Sequence, residues 1–525
     1  MTKLSSLSRL ALIATALSFT SAQVDVSGQW DLIGHSGVSA MHMALTHTNH
    51  VIILDRVQKG SKIYLPTGEF AWGTEYDLET NTVRPLNLKS NTFCSAGGFL
   101  PDGTLINVAG SQGRRKIEEG FNGIRSFQPC TDKFCDFNQD FNITLANKRW
   151  YPTVESLEDG RLFILGGSST TCATNNKDIN VPTFELYPTS PKDSFQGQKH
   201  FQFMEDTLPH NLYPAVHLLP SGNLFIFSNT RSVILNTKTW EIEKELPEIP
   251  GGVRTYPLTG GSILLPLSPE NNYQSEVLIC GGSTRYWRKS PGLKSCARIN
   301  LDESDPKWEM EDMPMPRVMP DLLALPDGRI LIVNGVEIGT AGFNRATNPT
   351  FSPVVYDPNA PKGKRFTTWS PSAIPRVYHS TALLIPDGRV FVAGSNPNVD
   401  SLWEKVDFPT EYRVEAFSPP YLFADRPRPV IDSLQQSVKY NEEFDIKVQT
   451  FGSDPDITVT LMHSGFVTHS THMNHRAVKL EVVRHNGDTI TVRAPPYAAI
   501  APPKHYMVFV VEDGIPSIAK WVQLS

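Results

Sequence analysis

Charge is scarce in this 525-residue chain: Asp, Glu, Lys and Arg make up 19% of it, and the formal net charge is −6. There is no basic surplus to neutralise nucleic acid or an anionic membrane, so neither is expected as a partner. A small, weakly charged ligand fits better. Long apolar runs are also missing beyond the amino terminus, where Lys3 and Arg9 precede an apolar stretch at 10–19 and small residues ending at Ala22. That stretch is about half the roughly 20 residues a spanning helix needs. Its order of charged, apolar and small residues is that of a secretory signal over 1–22. The expectation is an exported, extracellular, monomeric protein whose mature chain starts near Gln23 and has no membrane span. Asn142-Ile143-Thr144 is then a usable glycosylation sequon.

Cysteine is sparse too, with six residues at 94, 130, 135, 172, 280 and 296. In an oxidising compartment Cys130–Cys135 and Cys280–Cys296 are the short-loop pairs to expect. Cys94 and Cys172 are left over. Either they form a third disulfide, or Cys94 is committed to other chemistry and Cys172 stays a lone thiol.

No long 3.6-residue periodicity lies between the turns, while glycine (36) and proline (41) are plentiful, which argues against an α-helical protein. What is present is a repeated phrase: apolar residues, a Pro-Asp-Gly-like turn, a β-rich run, then small residues. It occurs around Pro101-Asp102-Gly103, Glu158-Asp159-Gly160, Pro220-Ser221-Gly222, Pro326-Asp327-Gly328 and Pro386-Asp387-Gly388. Asp-Gly between β-branched runs is a strong hairpin signal. Successive turns at 102, 159 and 221, and again at 327 and 387, are about 60 residues apart, a period suited to four-stranded kelch-like blades. Residues 255–282 and 41–56 supply two further copies, giving seven. After 417–422 the phrase stops, and Arg426-Pro427-Arg428-Pro429 leads into short alternating strands such as 444–448, 478–483 and 489–492. The expected fold is all-β: a seven-bladed kelch-like β-propeller over 23–424 followed by an immunoglobulin-like β-sandwich over 425–525.

Register singles out a few residues. Cys94 lies eight residues before Asp102, Tyr151 eight before Asp159, and His379 eight before Asp387. In a propeller, equivalent ends of inner strands gather at the axis, so a thiol, a phenol and an imidazole are expected to meet there with Tyr378, the neighbour of His379. Tyr213 and Met319 share the register and are expected to line the same funnel without being ligands. Nitrogen and oxygen donors in a tetragonal arrangement suit Cu(II). A further imidazole is available from the histidine-rich stretch 466–476.

These phrases carry a resemblance. Phe93-Cys94, Arg149-Trp150-Tyr151-Pro152, Val377-Tyr378-His379-Ser380 and Thr468-His469 occur in the order found in copper radical oxidases of the glyoxal oxidase and galactose oxidase family, and Gly394-Ser395-Asn396-Pro397-Asn398 resembles the glyoxal oxidase branch. The resemblance covers almost the whole mature chain. It implies one copper ion held by Tyr151, Tyr378, His379 and His469, with Tyr378 as the axial base. It also implies a thioether joining Cys94 to Tyr151 that holds a radical. His469 is preferred over His472 and His475 because it follows a threonine and precedes Arg476 by seven residues, as the family's ligand does. The other two are expected to lie around the site or on the surface.

The chemistry requires such a set. Oxidising an aldehyde hydrate removes two electrons and Cu(II) accepts one, so a second oxidant has to be built in. A metal-bound hydroxyl needs a base, and tyrosinate, with a pKa of about 10, can serve. Glyoxal and methylglyoxal are the implied substrates, with dioxygen reduced to hydrogen peroxide that extracellular peroxidases can use. One departure stands out: galactose oxidase has a tryptophan over the crosslink where this chain has Ser169. Trp150 is not expected to replace it, since alternation along a strand would point it away from Tyr151. The readings that compete are an alcohol or galactose-type oxidase of the same family, and a non-catalytic secreted propeller that binds carbohydrate or protein.

Overall fold

In the computed structural model, which describes residues 27–400 and 406–525, seven four-stranded antiparallel blades surround one axis and a β-sandwich follows them. The secretory signal expected over 1–22 lies outside the described residues. Blade 1 runs from His42–Leu45 to Thr82–Leu86, blade 2 from Ala96–Phe99 to Phe137–Asn138, and blade 3 from Thr153–Ser156 to Gln198–His200. Blade 4 spans Ala215–Leu218 to Ile242–Leu246, blade 5 Gly260–Leu264 to Glu309–Arg317, and blade 6 Asp321–Ala324 to Phe366–Thr368. Blade 7 takes three strands from Ser380–Leu384 to Arg413–Ser418, and its outer strand, Gln29–His35, comes from the beginning of the described chain. This closure ties the two ends of the propeller together.

The repeated phrase has a local cause. Gly103, Gly160, Gly222, Gly328 and Gly388 all have φ between +80° and +87°, the left-handed region that only glycine enters without penalty. The side chains of Asp102, Asp159, Asp327 and Asp387 each accept the backbone N–H two residues on, which locks the turn. The β-branched runs on either side then pair as the first and second strands of a blade and are buried on both faces. A second repeated device is an arginine at the blade entrance. Arg149, Arg254, Arg317 and Arg376 are buried, and each donates to carbonyls at the inner rim, as Arg149 does to Gly166 and Thr183 at 2.8 and 2.9 Å.

Two cysteine pairs are joined, Cys130 to Cys135 and Cys280 to Cys296, while Cys94 and Cys172 carry no disulfide. The sandwich has nine strands between Val430–Leu434 and Lys520–Leu524, with the long strand Arg476–Asn486 shared between its two layers. Its core is continuous with blades 4 and 5 through Phe225, Leu264 and Leu267. A hairpin, Phe466–Thr468 with Thr471–Met473, leaves the sandwich and enters the propeller, where it pairs with the inner strand of blade 1. No helix among the described residues is long and apolar enough to cross a membrane.

Candidate metal centre

Each blade entrance has to turn from an incoming loop into an inner strand, and five entrances make the turn in the same way. Cys94, Tyr151, Tyr213, Met319 and His379 have φ of 59°, 63°, 46°, 62° and 65°. Residues other than glycine held there cost of order 1–3 kcal/mol each and persist only where the surroundings impose them. The shared conformation aims these side chains toward the axis. All five are buried, and Cys94, Tyr151 and His379 lie together.

The sixth group arrives from the sandwich. His469 and Ser470 form the two-residue loop between paired Thr468 and Thr471, with φ of 49° and 67°, as a type I′ hairpin turn requires. The tip of that hairpin sets His469 Nε2 3.6 Å from Cys94 Sγ, while Nδ1 lies 2.6 Å from the Thr468 hydroxyl. His379 Nδ1 lies 3.0 Å from the Asn396 carbonyl, which leaves Nε2 as a lone pair, buried and without any partner. Donor atoms of Cys94, His379 and His469 all fall within 4.8 Å of one another. Above them the hydroxyls of Tyr151 and Tyr378 are 2.9 Å apart.

A bare, buried imidazole nitrogen beside a second imidazole, a thiol and two phenols is costly unless a cation completes it. The donor set is nitrogen and oxygen with one sulfur, borderline in softness, and it fits copper. Electrostatics agree. Burial first, then the cation of Arg56, holds His379 well below the ordinary histidine range. Burial, then its two histidine neighbours, does the same for His469. Both imidazoles are therefore neutral and able to donate a lone pair. Burial pushes Tyr151 and Tyr378 well above the ordinary phenol range, a preference that an adjacent dication reverses.

Two residues not singled out by the sequence, Tyr256 and Phe343, join the site, and Trp150 lies where strand alternation does not put it. Tyr256 places its hydroxyl 2.9 Å from that of Tyr151 and 3.0 Å from that of Tyr378, so three phenols form a closed triangle. It lies off the register but repeats the phrase Arg-x-Tyr-Pro of residues 149–152 at 254–257, and that was the available signal. Phe343, on the loop between strands Val336–Gly339 and Ala346–Pro349, packs its ring 5.8 Å from Tyr378 and 5.6 Å from His379. Trp150 corrects an expectation: its ring lies 4.0 Å from that of Tyr151 at 33°. Alternation holds for extended backbone, and the left-handed φ of Tyr151 breaks it.

Tyr213 donates to the Ser95 carbonyl and packs 5.1 Å from His469. His472 and His475 are buried rather than on the surface, His472 against Asp321 at 3.0 Å and His475 accepting the Ala324 N–H. Ser169 is exposed, and Ser395 and Asn396 bond back to the carbonyls of His379 and Tyr378. A cavity of about 470 Å³ opens onto Tyr151, Tyr256 and Tyr378 between Phe93, Trp150 and Phe343.

The two parts of the chain each match a known protein family. Residues 41–421 match the glyoxal oxidase N-terminus family, and 428–524 match the galactose oxidase-like Early set domain. The chain is 40% identical to an aldehyde oxidase of Vitis pseudoreticulata, with 96% of this chain and 98% of that protein covered. It is 38% identical to an aldehyde oxidase of Arabidopsis thaliana, with 95% and 84% covered. A solved fungal alcohol oxidase in complex with copper shares the fold, with a TM-score of 0.73 at 19% identity over 95% of this chain and 100% of that one. With both of its domains matched and curated relatives aligned nearly end to end, the chain belongs to the glyoxal oxidase family of copper radical oxidases.

Proposed function

We propose that this chain is an exported, copper-dependent oxidase of small aldehydes such as glyoxal and methylglyoxal, converting the hydrate to a carboxylic acid as dioxygen becomes hydrogen peroxide. Tyr151, Tyr378, His379 and His469 hold the copper, and Cys94 is joined to Tyr151 through a thioether. Together the metal and the crosslinked phenol supply a Lewis acid and the two one-electron acceptors that the reaction needs. The observation that carries this reading is the partnerless, buried Nε2 of His379 facing Cys94, His469 and the phenols.

The remaining work belongs to the chain's own atoms. Tyr378 Oη takes the proton of the hydrate hydroxyl, and Tyr256 Oη, 3.0 Å away, donates a hydrogen bond to Tyr378 Oη while that oxygen carries the charge. Phe93, Phe343 and Trp150 give the cavity an apolar wall beside the three phenols. Trp150 also packs against the Tyr151 ring, so an indole lies beside that phenol although residue 169 is a serine. The peroxide released would feed extracellular peroxidases.

The test is direct. Copper-loaded, oxidised protein given methylglyoxal and air is expected to release peroxide and pyruvate in equal amounts and to absorb in the visible and near infrared. Copper-loaded protein with neither property would refute the reading.

A further inference from the structure

Scarce overall charge hides one cluster. The cavity over the phenols is lined by three guanidinium groups, Arg56, Arg114 and Arg345, and by no carboxylate. Arg56 is buried, with its Cζ 4.5 Å from the Phe343 ring centre and 5.4 Å from that of Phe93, and its N–H groups go to neutral acceptors, Gln58 Oε1 and the Asn398 carbonyl. Asp55 and Asp400, neither of which lines the cavity, act on it electrostatically, and burial pushes the Asp55 carboxyl up to about 7, so the countercharge of Asp55 is partial. Arg345 rests on the Tyr286 ring at 4.5 Å, and Arg114 is exposed on the rim. Among the described residues no ion pair involves any of the three, although Arg149, Arg376 and most other arginines have a carboxylate partner.

Cations gathered in an uncharged, aromatic-walled cavity favour an anion entering it. The volume, about 470 Å³, is much more than a two- or three-carbon aldehyde fills. Building on the oxidase reading, we infer that the cavity selects aldehydes that carry a carboxylate a few carbons from the reacting end, with Arg345 and Arg114 receiving the carboxylate and Arg56 drawing it inward. The reaction balances as before: a semialdehyde hydrate and dioxygen give a dicarboxylate and hydrogen peroxide. A charge-assisted hydrogen bond contributes about 1.5–3 kcal/mol, so the charged substrate should be favoured roughly tenfold or more over a neutral one of the same shape.

Succinic semialdehyde and its methyl ester form the discriminating pair. With the copper-loaded enzyme at low salt, kcat/KM for the anion should exceed that for the ester roughly tenfold. The ratio should shrink as salt is raised and in Arg345→Gln. An ester used equally well at low salt overturns the inference while leaving the oxidase reading intact, since peroxide is still made. Calorimetric binding of succinate needs no turnover. Binding that Arg345→Gln weakens is expected, and no binding, or binding unchanged in the variant, overturns the inference even if no aldehyde is oxidised.

Discussion

Tyr256 shows how much a single side chain off the expected register can matter. It touches both Tyr151 and Tyr378 through its hydroxyl, and its ring packs 4.3 Å from that of Tyr151, tilted by 38°. Tyr256→Phe removes one oxygen and little volume. A hydrogen bond to a charged partner contributes about 1.5–3 kcal/mol, so kcat should fall about 10–100-fold with KM changed much less. Steady-state kinetics with methylglyoxal check this, and an unchanged kcat would leave Tyr256 a packing residue. His379→Ala tests another atom. It removes the lone pair that no protein group satisfies, and the protein should lose its tight copper site by calorimetry while staying folded.

At the scale of elements, what could be read in advance was what depends on neighbours in sequence. The Asp-Gly turns set the blades, and counting eight residues back from them found Cys94, Tyr151 and His379. Tyr378 follows from its place beside His379, whereas the choice of His469 among the histidines of 466–476 rests on a family phrase. Two things stayed hidden because long-range pairing decides them. The closing strand Gln29–His35 pairs with Arg413–Ser418 from the far end of the propeller, and the His469-Ser470 turn lacks the Asn-Gly signature of its type. Strand alternation does not say where Trp150 points, because the left-handed backbone at Tyr151 interrupts it. The arginine repeated at four blade entrances makes a prediction of its own. Arg376 and Glu415 form a buried pair at 2.7 Å, and Arg376→Met would strand the carboxylate, lowering stability by about 3–5 kcal/mol. Arg413→Met breaks the more exposed pair with Glu411 and should cost under about 1 kcal/mol. Urea midpoints of the two variants separate the cases.

Over the whole molecule, neither domain holds the site alone: the propeller supplies the thiol and the phenols, and the sandwich supplies His469 through a hairpin that becomes part of blade 1. The same burial predicts a protein sensitive to acid. Burial pushes His42, His217 and His475 down to about 3, so the unfolded chain binds protons near pH 6.5 that the folded chain does not. Their contribution is intact above that pH and is lost on acidification at about 1.4 kcal/mol per pH unit for each histidine. Asp55 and Glu155, both raised to about 7 chiefly by burial, bind protons in the folded state and oppose this over the same window. The histidines outnumber them, so the urea midpoint of metal-free protein should fall between pH 6.5 and 5; a rise would contradict this balance. The oxidase reading itself rests on one covalent bond. Mass spectrometry of copper- and oxygen-treated protein, reduced, denatured and digested with trypsin, tests it most directly. A single species joining the peptides of Cys94 and Tyr151, lighter by the two hydrogens lost on bond formation and stable to reductant, is the expected result. Two separate, unmodified peptides would contradict it.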